Sequence, residues 1–170
     1  MAAPVAAQSG RVLDPVERVS EVVFGVLMAM TFIGAMNVAT AGREDVRTVM
    51  VAALGCNIAW GLTDAVMYVV AAVTERTRED LRPRLRTREL KGALGVFLLV
   101  ALSTFPLVLP FLLFRELAPA LTASRIVALA ILFFGGWLLA GHAGGNRALA
   151  GIGLAATGAV LLSAIMALGG

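Results

Sequence analysis

The sequence predicts an all-α membrane protein with five transmembrane helices. Two properties of the composition indicate a membrane protein: 59% of the 170 residues are hydrophobic and only 15% are charged, with a mean hydropathy of +0.90. Soluble domains average about 45–50% apolar and about 25% charged residues, so this chain has too few polar side chains to cover a soluble globule. The composition therefore excludes a soluble enzyme, a secreted domain and a disordered tail.

The third observation is the hydrophobicity pattern within the apolar segments, which indicates helices. Runs of about ten residues with alternating hydrophobicity, which are typical of a membrane β-barrel, do not occur in the sequence. A single cysteine excludes an internal disulfide framework, and one histidine with one cysteine supplies too few ligands for a zinc site. The sequence therefore predicts helical spans without a disulfide or a zinc site.

Five stretches are long enough to cross a bilayer core, which needs about 20 apolar helical residues. They cover about 20–41, 48–73, 92–114, 124–141 and 148–168. Residues 1–13 are predicted to be a flexible tail, and residues 14–170 a single five-helix transmembrane domain. The segment Asp14-Pro15-Val16-Glu17 is typical of a helix start, with Asp at the N-cap, Pro at the first helical position and Glu at the third.

The distribution of basic residues predicts the orientation of the spans. With a cytoplasmic N-terminus, the cytoplasmic segments carry ten Arg and Lys and the outer segments carry four, as the positive-inside rule requires. An odd number of spans then places the C-terminus outside. The basic linker 74–91 is predicted to be an interfacial helix, broken at Pro83, beside anionic head groups. It accounts for the high pI, so no nucleic-acid partner is expected.

Asp64 is the main candidate functional residue, because a carboxylate inside a span costs several kcal/mol unless it is paired, hydrated or protonated. Asn57 lies two turns away on the same helix face, and Met67 and Tyr68 lie within one turn. Oxygen donors with a thioether suit iron or manganese better than magnesium. The alternative is a structural Asp64 bonded to a Tyr, Thr or Asn of a neighbouring helix.

The first helix offers a second group of candidates. Asp14, Glu17 and Glu21 are spaced three and four residues apart and share one helix face, which Met28 continues inward. Carboxylates at a cytoplasmic mouth concentrate cations. Alternatively, acidic residues in a first turn only complement the helix dipole, and Arg18 pairs with them.

The third span contains Pro106 and Pro110 in the segment Ser103-Thr104-Phe105-Pro106-Leu107-Val108-Leu109-Pro110. Each proline removes a backbone donor and clashes with the preceding turn. We therefore expect a kink. It either opens a polar cavity or only bends the span to fit the bundle.

These features together resemble the vacuolar iron transporter family. The common pattern is five spans with a cytoplasmic N-terminus, a polar second span and a charged linker between the second and third spans. Most specifically, GALGVFLLVALSTFPLVLPFLL resembles that family's Gly/Ala-rich run ending in a Pro-x-x-Pro-like segment. GNRALAGIGLAATGAVLLSAIMALGG is similar to its last span. The resemblance covers most of residues 16–170.

The resemblance implies a homodimer with an ion path along its twofold axis, lined by the first two spans of each copy. It implies export of ferrous or manganous ions in exchange for protons. Met28 stands where members carry an Asp in the first span, and Asp64 and Met67 stand where members carry Glu and Met in the second. The short, arginine-rich linker here replaces a glutamate-rich cytoplasmic metal-binding bundle.

We therefore expect a multi-pass inner-membrane transporter of iron or manganese, with the lipid bilayer, a divalent metal ion and a second copy as partners. We expect no enzyme activity, no catalytic residue and no cofactor, because the metal is cargo. The alternatives are a carrier of another small solute and a non-transporting accessory or scaffold protein. The candidate metal-contacting residues are Asp64, Met67, Asn57, Met28, Glu21 and Glu17.

Overall fold

The computed structural model describes residues 12–40, 45–78 and 87–168, apart from the side chains of residues 76–78. All the regular elements in these ranges are α-helices: α1 (Pro15–Ala39), α2 (Val46–Arg78), α3 (Thr87–Ser103), α4 (Phe105–Leu113), α5 (Leu117–Ala143) and α6 (Arg147–Leu168). Most of the predicted flexible tail, and the predicted helix break at Pro83, lie outside the described residues.

Within the described ranges, five helical segments are long and apolar enough to cross a membrane: Pro15–Ala39, Val46–Glu75, Thr87–Leu113, Leu117–Ala143 and Arg147–Leu168. Each overlaps one of the five predicted spans. This confirms the predicted all-helical fold class with five candidate spans, and it indicates a multi-pass membrane protein.

The first helix begins where the capping pattern predicted. The backbone N–H of Asp14 donates to a carboxylate oxygen of Glu17 over 2.7 Å, and Pro15 occupies the start of α1. Arg18 folds back toward the N-terminus and donates from Nε and Nη2 to the carbonyl of Leu13, at 3.2 and 3.0 Å. The bond to Glu17 satisfies a backbone N–H that a helix N-terminus leaves unpaired, and the bonds of Arg18 tie the preceding residue to the first turn.

The third span is interrupted at Thr104. Helix α3 ends at Ser103 and α4 begins at Phe105, because Pro106 has no N–H to continue the hydrogen-bond ladder across this point. Thr104 is fully buried. The helix is therefore broken at the position where the prolines predicted a kink, and the break lies inside the packed bundle.

Helix α1 is the centre of the bundle and contacts all the other five helices. Its C-terminal half packs against α2, α4 and α5 around Ile33, Val49 and Phe111. Its other buried residues, including Val26 and Met30, pack against α4, α5 and α6. Helix α2 lies at the edge of the bundle, packed mainly on α3 and α1.

Candidate functional site

The candidate site lies where the N-terminal half of α1 passes α2. Gly25 of α1 contacts Asn57 of α2, and Glu21, one turn earlier, lies within electrostatic range of Asp64, two turns later on α2. The two helices therefore run antiparallel. Glu17, one turn before Glu21, is also within electrostatic range of Glu21. The structure thus brings together the acidic groups that the sequence placed on two separate helices.

Asp64 has unused hydrogen-bonding capacity at this site. Its side chain is half-buried, and its Oδ2 atom is shielded from solvent and accepts no hydrogen bond from the described part of the chain. The polar neighbours on α2 bond elsewhere: Thr63 donates to the carbonyl of Ala59 over 3.0 Å, and Tyr68 to that of Val12 over 3.5 Å. A carboxylate oxygen therefore remains available for a cation or a proton.

Asn57 is a link between helices. Its side chain is 0% exposed, and Nδ2 donates to the carbonyl of Gly25 at 3.0 Å, to that of Val100 at 3.4 Å and to the hydroxyl of Thr104. The Oδ1 atom has no partner among the described residues. Asn57 lies seven residues from Asp64, about 10 Å along the axis at 1.5 Å per residue. The observed bonds join α1, α2 and the kink of the third span.

The two predicted thioether donors differ in position. Met67 is 58% exposed and lies on the outer surface of α2, so it is not brought together with Glu21 and Asp64. Met28 is half-buried on α1, two turns beyond Glu21. The pair from different helices that the structure places within electrostatic range of each other is therefore Glu21 and Asp64.

The cluster of charged side chains around Tyr68 was not predicted from the sequence. Tyr68 lies within electrostatic range of Glu17, Arg88 and Glu89, and its ring lies against Gly92 of α3. Glu89 is buried, at 8% exposure. Nothing in the sequence pairs α2 with the first turn of α3 through these residues, because the linker between them is basic and polar throughout.

The site offers two carboxylates from different helices that lie within electrostatic range of each other. In the ranges that the structure describes, no three His, Cys, Asp or Glu side chains converge into a group that could hold a metal ion on its own. A cation bound by Glu21 and Asp64 would therefore complete its coordination with water or backbone oxygen, both of which suit Mg²⁺, Ca²⁺ and Mn²⁺.

A scan against known protein families, a search of curated proteins and a search of solved structures found no match to this chain.

Proposed function

We propose that this protein is a divalent transition-metal transporter of the inner membrane that moves Fe²⁺ or Mn²⁺ through a site formed by Glu21 and Asp64. The observation that carries the proposal is the buried Oδ2 atom of Asp64, which has no hydrogen-bond partner among the described residues and lies in a candidate membrane span, within electrostatic range of Glu21 on another helix. The resemblance to the vacuolar iron transporter family supports the same class of cargo.

The energetic argument rests on the cost of charge in lipid. An acidic residue at the centre of a membrane helix costs about 2.5–3.5 kcal/mol on insertion scales, and a second carboxylate nearby adds like-charge repulsion. A bound divalent cation offsets both terms, because its charge balances the two carboxylates. A proton on one carboxylate removes only part of the insertion cost and of the repulsion. Competition between metal and proton for the same oxygens is the simplest basis for proton-coupled export.

The ligand chemistry favours a hard or borderline ion. Glu21 and Asp64 supply oxygen, and carboxylate, carbonyl and water ligands suit Mn²⁺, while Fe²⁺ also accepts carboxylates. Met28 and Asn57 lie further along the spans from Asp64. They are candidates for later contacts on the path, and Glu17 is the candidate for the first contact at the cytoplasmic mouth.

The route follows the contact between α1 and α2 at the edge of the bundle. Helix α2 has the outer apolar residues Ile58, Leu62, Val66 and Met67 exposed in the single chain. A second copy packed against this edge would enclose the path, so the proposal includes a homodimer. The positive-inside rule supports a cytoplasmic N-terminus and therefore entry of the ion from the Glu17 end.

Flux measured in proteoliposomes tests this function. Purified protein is reconstituted with a metal-sensitive dye inside, Mn²⁺ or Fe²⁺ is added outside, and a pH gradient is imposed. We expect metal-dependent signals from the unaltered chain and a loss of at least about tenfold, or about 1.4 kcal/mol, in Asp64→Asn and Glu21→Gln.

The matched control is Glu116→Gln, which removes an exposed carboxylate at the N-cap of α5 and leaves flux unchanged. Size-exclusion profiles confirm that every variant assembles normally. The proposal is overturned if the unaltered chain moves neither metal, as the scaffold alternative predicts, or if Asp64→Asn transports at the normal rate.

A further inference from the structure

A groove opens between the start of α1 and the outer face of α3. Its volume is about 530 Å³, and it is lined by Val12, Leu13, Arg18, Lys91, Gly95, Leu98 and Leu99. The four α3 residues follow a helical spacing of four, three and one, so they form one stripe along the helix. The stripe covers about 12 Å, at 1.5 Å per residue.

The groove is polar at one end and apolar along its length. Lys91, in the second turn of α3, is exposed, and Arg18 lies at the start of α1, where its bonds from Nε and Nη2 to the Leu13 carbonyl hold the guanidinium near this end. Those bonds leave Nη1 available for an anion. Below the two cations, Gly95 and Leu98 provide an apolar wall.

Among the described residues, those that line the groove include two cations and no carboxylate. Glu17 and Glu89 are within electrostatic range of Tyr68 on α2, and Glu21 is within range of Asp64. Arg18 and Lys91 line the groove instead. The groove end is therefore a positively charged position with an apolar channel directly below it.

We propose that this groove binds one anionic phospholipid. The phosphate contacts Lys91 and Arg18, and an acyl chain lies along Gly95, Leu98 and Leu99. A soluble anion would leave the apolar wall uncovered, and a neutral lipid would leave two cations without a counter-charge. Basic residues at the end of a span, near the membrane surface, attract anionic lipids. Gly95 has no side chain, which keeps the channel open beside Leu13.

Native mass spectrometry of the full chain in detergent tests this inference. Phosphatidylglycerol and phosphatidylcholine of matched acyl length are titrated separately, and the bound lipid is counted. We expect preferential binding of one phosphatidylglycerol, weakened about fivefold by Lys91→Gln, which is the effect of one basic side chain near an anionic surface. The control Arg115→Gln, an exposed cation at the opposite end of the third span, leaves binding unchanged.

A second variant tests the acyl channel. In Gly95→Leu, the new Cβ lies 2.8 Å from the Leu13 Cδ1 atom, the mobile end of a side chain, so the helix tolerates the change while the channel fills. We expect a loss of bound phosphatidylglycerol. The inference is overturned if both lipids bind equally, if Lys91→Gln binds normally, if inorganic phosphate displaces the lipid, or if a second copy covers the groove and no lipid binds.

Discussion

At the scale of single residues, Asn57 has the largest structural role in the site region. One amide group bonds the Gly25 carbonyl of α1, the Val100 carbonyl of α3 and the Thr104 hydroxyl at the kink. These bonds cross between helices and meet the third span beside its break at Thr104. Asn57 therefore holds the third span against the two helices that carry Glu21 and Asp64.

Replacing Asn57 with Ala is expected to destabilise the protein. The change removes the amide that bonds the buried Thr104 hydroxyl and joins it to α1 and α3, at a cost of about 1–3 kcal/mol for a buried polar group that loses its partner, while the Val100 carbonyl keeps the Ser103 hydroxyl as a donor. The control is Thr157→Ala, which removes an exposed hydroxyl bonded only to its own helix at Gly153. Unfolding in mixed micelles measures both. An Asn57→Ala variant as stable as the control would contradict this role.

The partners of Asn57 could not be predicted from the sequence. The sequence identified Asn57 as a polar residue on the Asp64 face, which is correct, but its donors reach residues 32 to 47 positions away. Which carbonyl an amide meets depends on how two helices rotate and slide against each other. The approach of Glu21 to Asp64 depends on the same two variables, and hydropathy contains no information about either.

At the scale of elements, the helices were predictable and their faces were not. Length and hydropathy locate a span, because about 20 apolar residues are needed to cross the core. The prolines located the kink. In a membrane, however, lipid is as apolar as a protein core, so the pattern does not separate the buried face of α2 from its outer face. Met67, which the sequence groups with Asp64, is exposed in the single chain, and its place in the site stays a prediction.

Close contact of α1 with α3 depends on Gly25. A Cβ added there would overlap the hydroxyl of Ser103 and lie 2.9 Å from the Val100 carbonyl oxygen. Gly25→Ala is therefore expected to cost about 1–3 kcal/mol by forcing the helices apart. Gly153→Ala is the matched control, since nothing lies within 4 Å of its added Cβ. Thermal unfolding compares the two, and equal midpoints would refute the close-packing account.

The N-terminus of α2 has a titratable cap outside the membrane spans. Asp45 accepts the backbone N–H of Thr48 over 2.7 Å, and this bond lowers the pKa of its carboxyl group below the ordinary 3.8. The cap therefore stabilises α2 above the ordinary pKa, and this stabilisation is lost as the pH falls through the lowered value. Carboxyl NMR titration checks this. The control Asp45→Asn keeps a capping side chain that does not titrate. A titration midpoint of the Asp45 carboxyl group above 3.8 would contradict the prediction.

At the scale of the whole molecule, α1 is surrounded by the other five helices and α2 lies at the edge. The candidate cation site and the proposed lipid groove both involve the N-terminal half of α1, through Glu21 and Arg18. The central position of α1 could not be predicted from five apolar segments, because many packing orders satisfy the same hydropathy. It matters for function because it places Glu21 beside a helix whose other face is available to a second copy.

The orientation of the chain is a prediction of the charge distribution. Ten basic residues on one side and four on the other favour a cytoplasmic N-terminus and an external C-terminus. Reporter domains that are active on only one side of the membrane, fused in turn to each terminus, check this. Reporters that place both termini on the same side would contradict a five-span topology.

Binding of Mn²⁺ to purified protein most directly tests whether Glu21 and Asp64 form one cation site. Calorimetry at neutral pH compares the unaltered chain with Glu21→Gln, Asp64→Asn and the double variant. We predict that each single change weakens Mn²⁺ binding at least about tenfold. Because both residues hold the same ion, the double variant is expected to bind Mn²⁺ only slightly more weakly than the weaker-binding of the two single variants. Normal Mn²⁺ affinity in either single variant, or losses that add as for independent positions, would contradict a shared site.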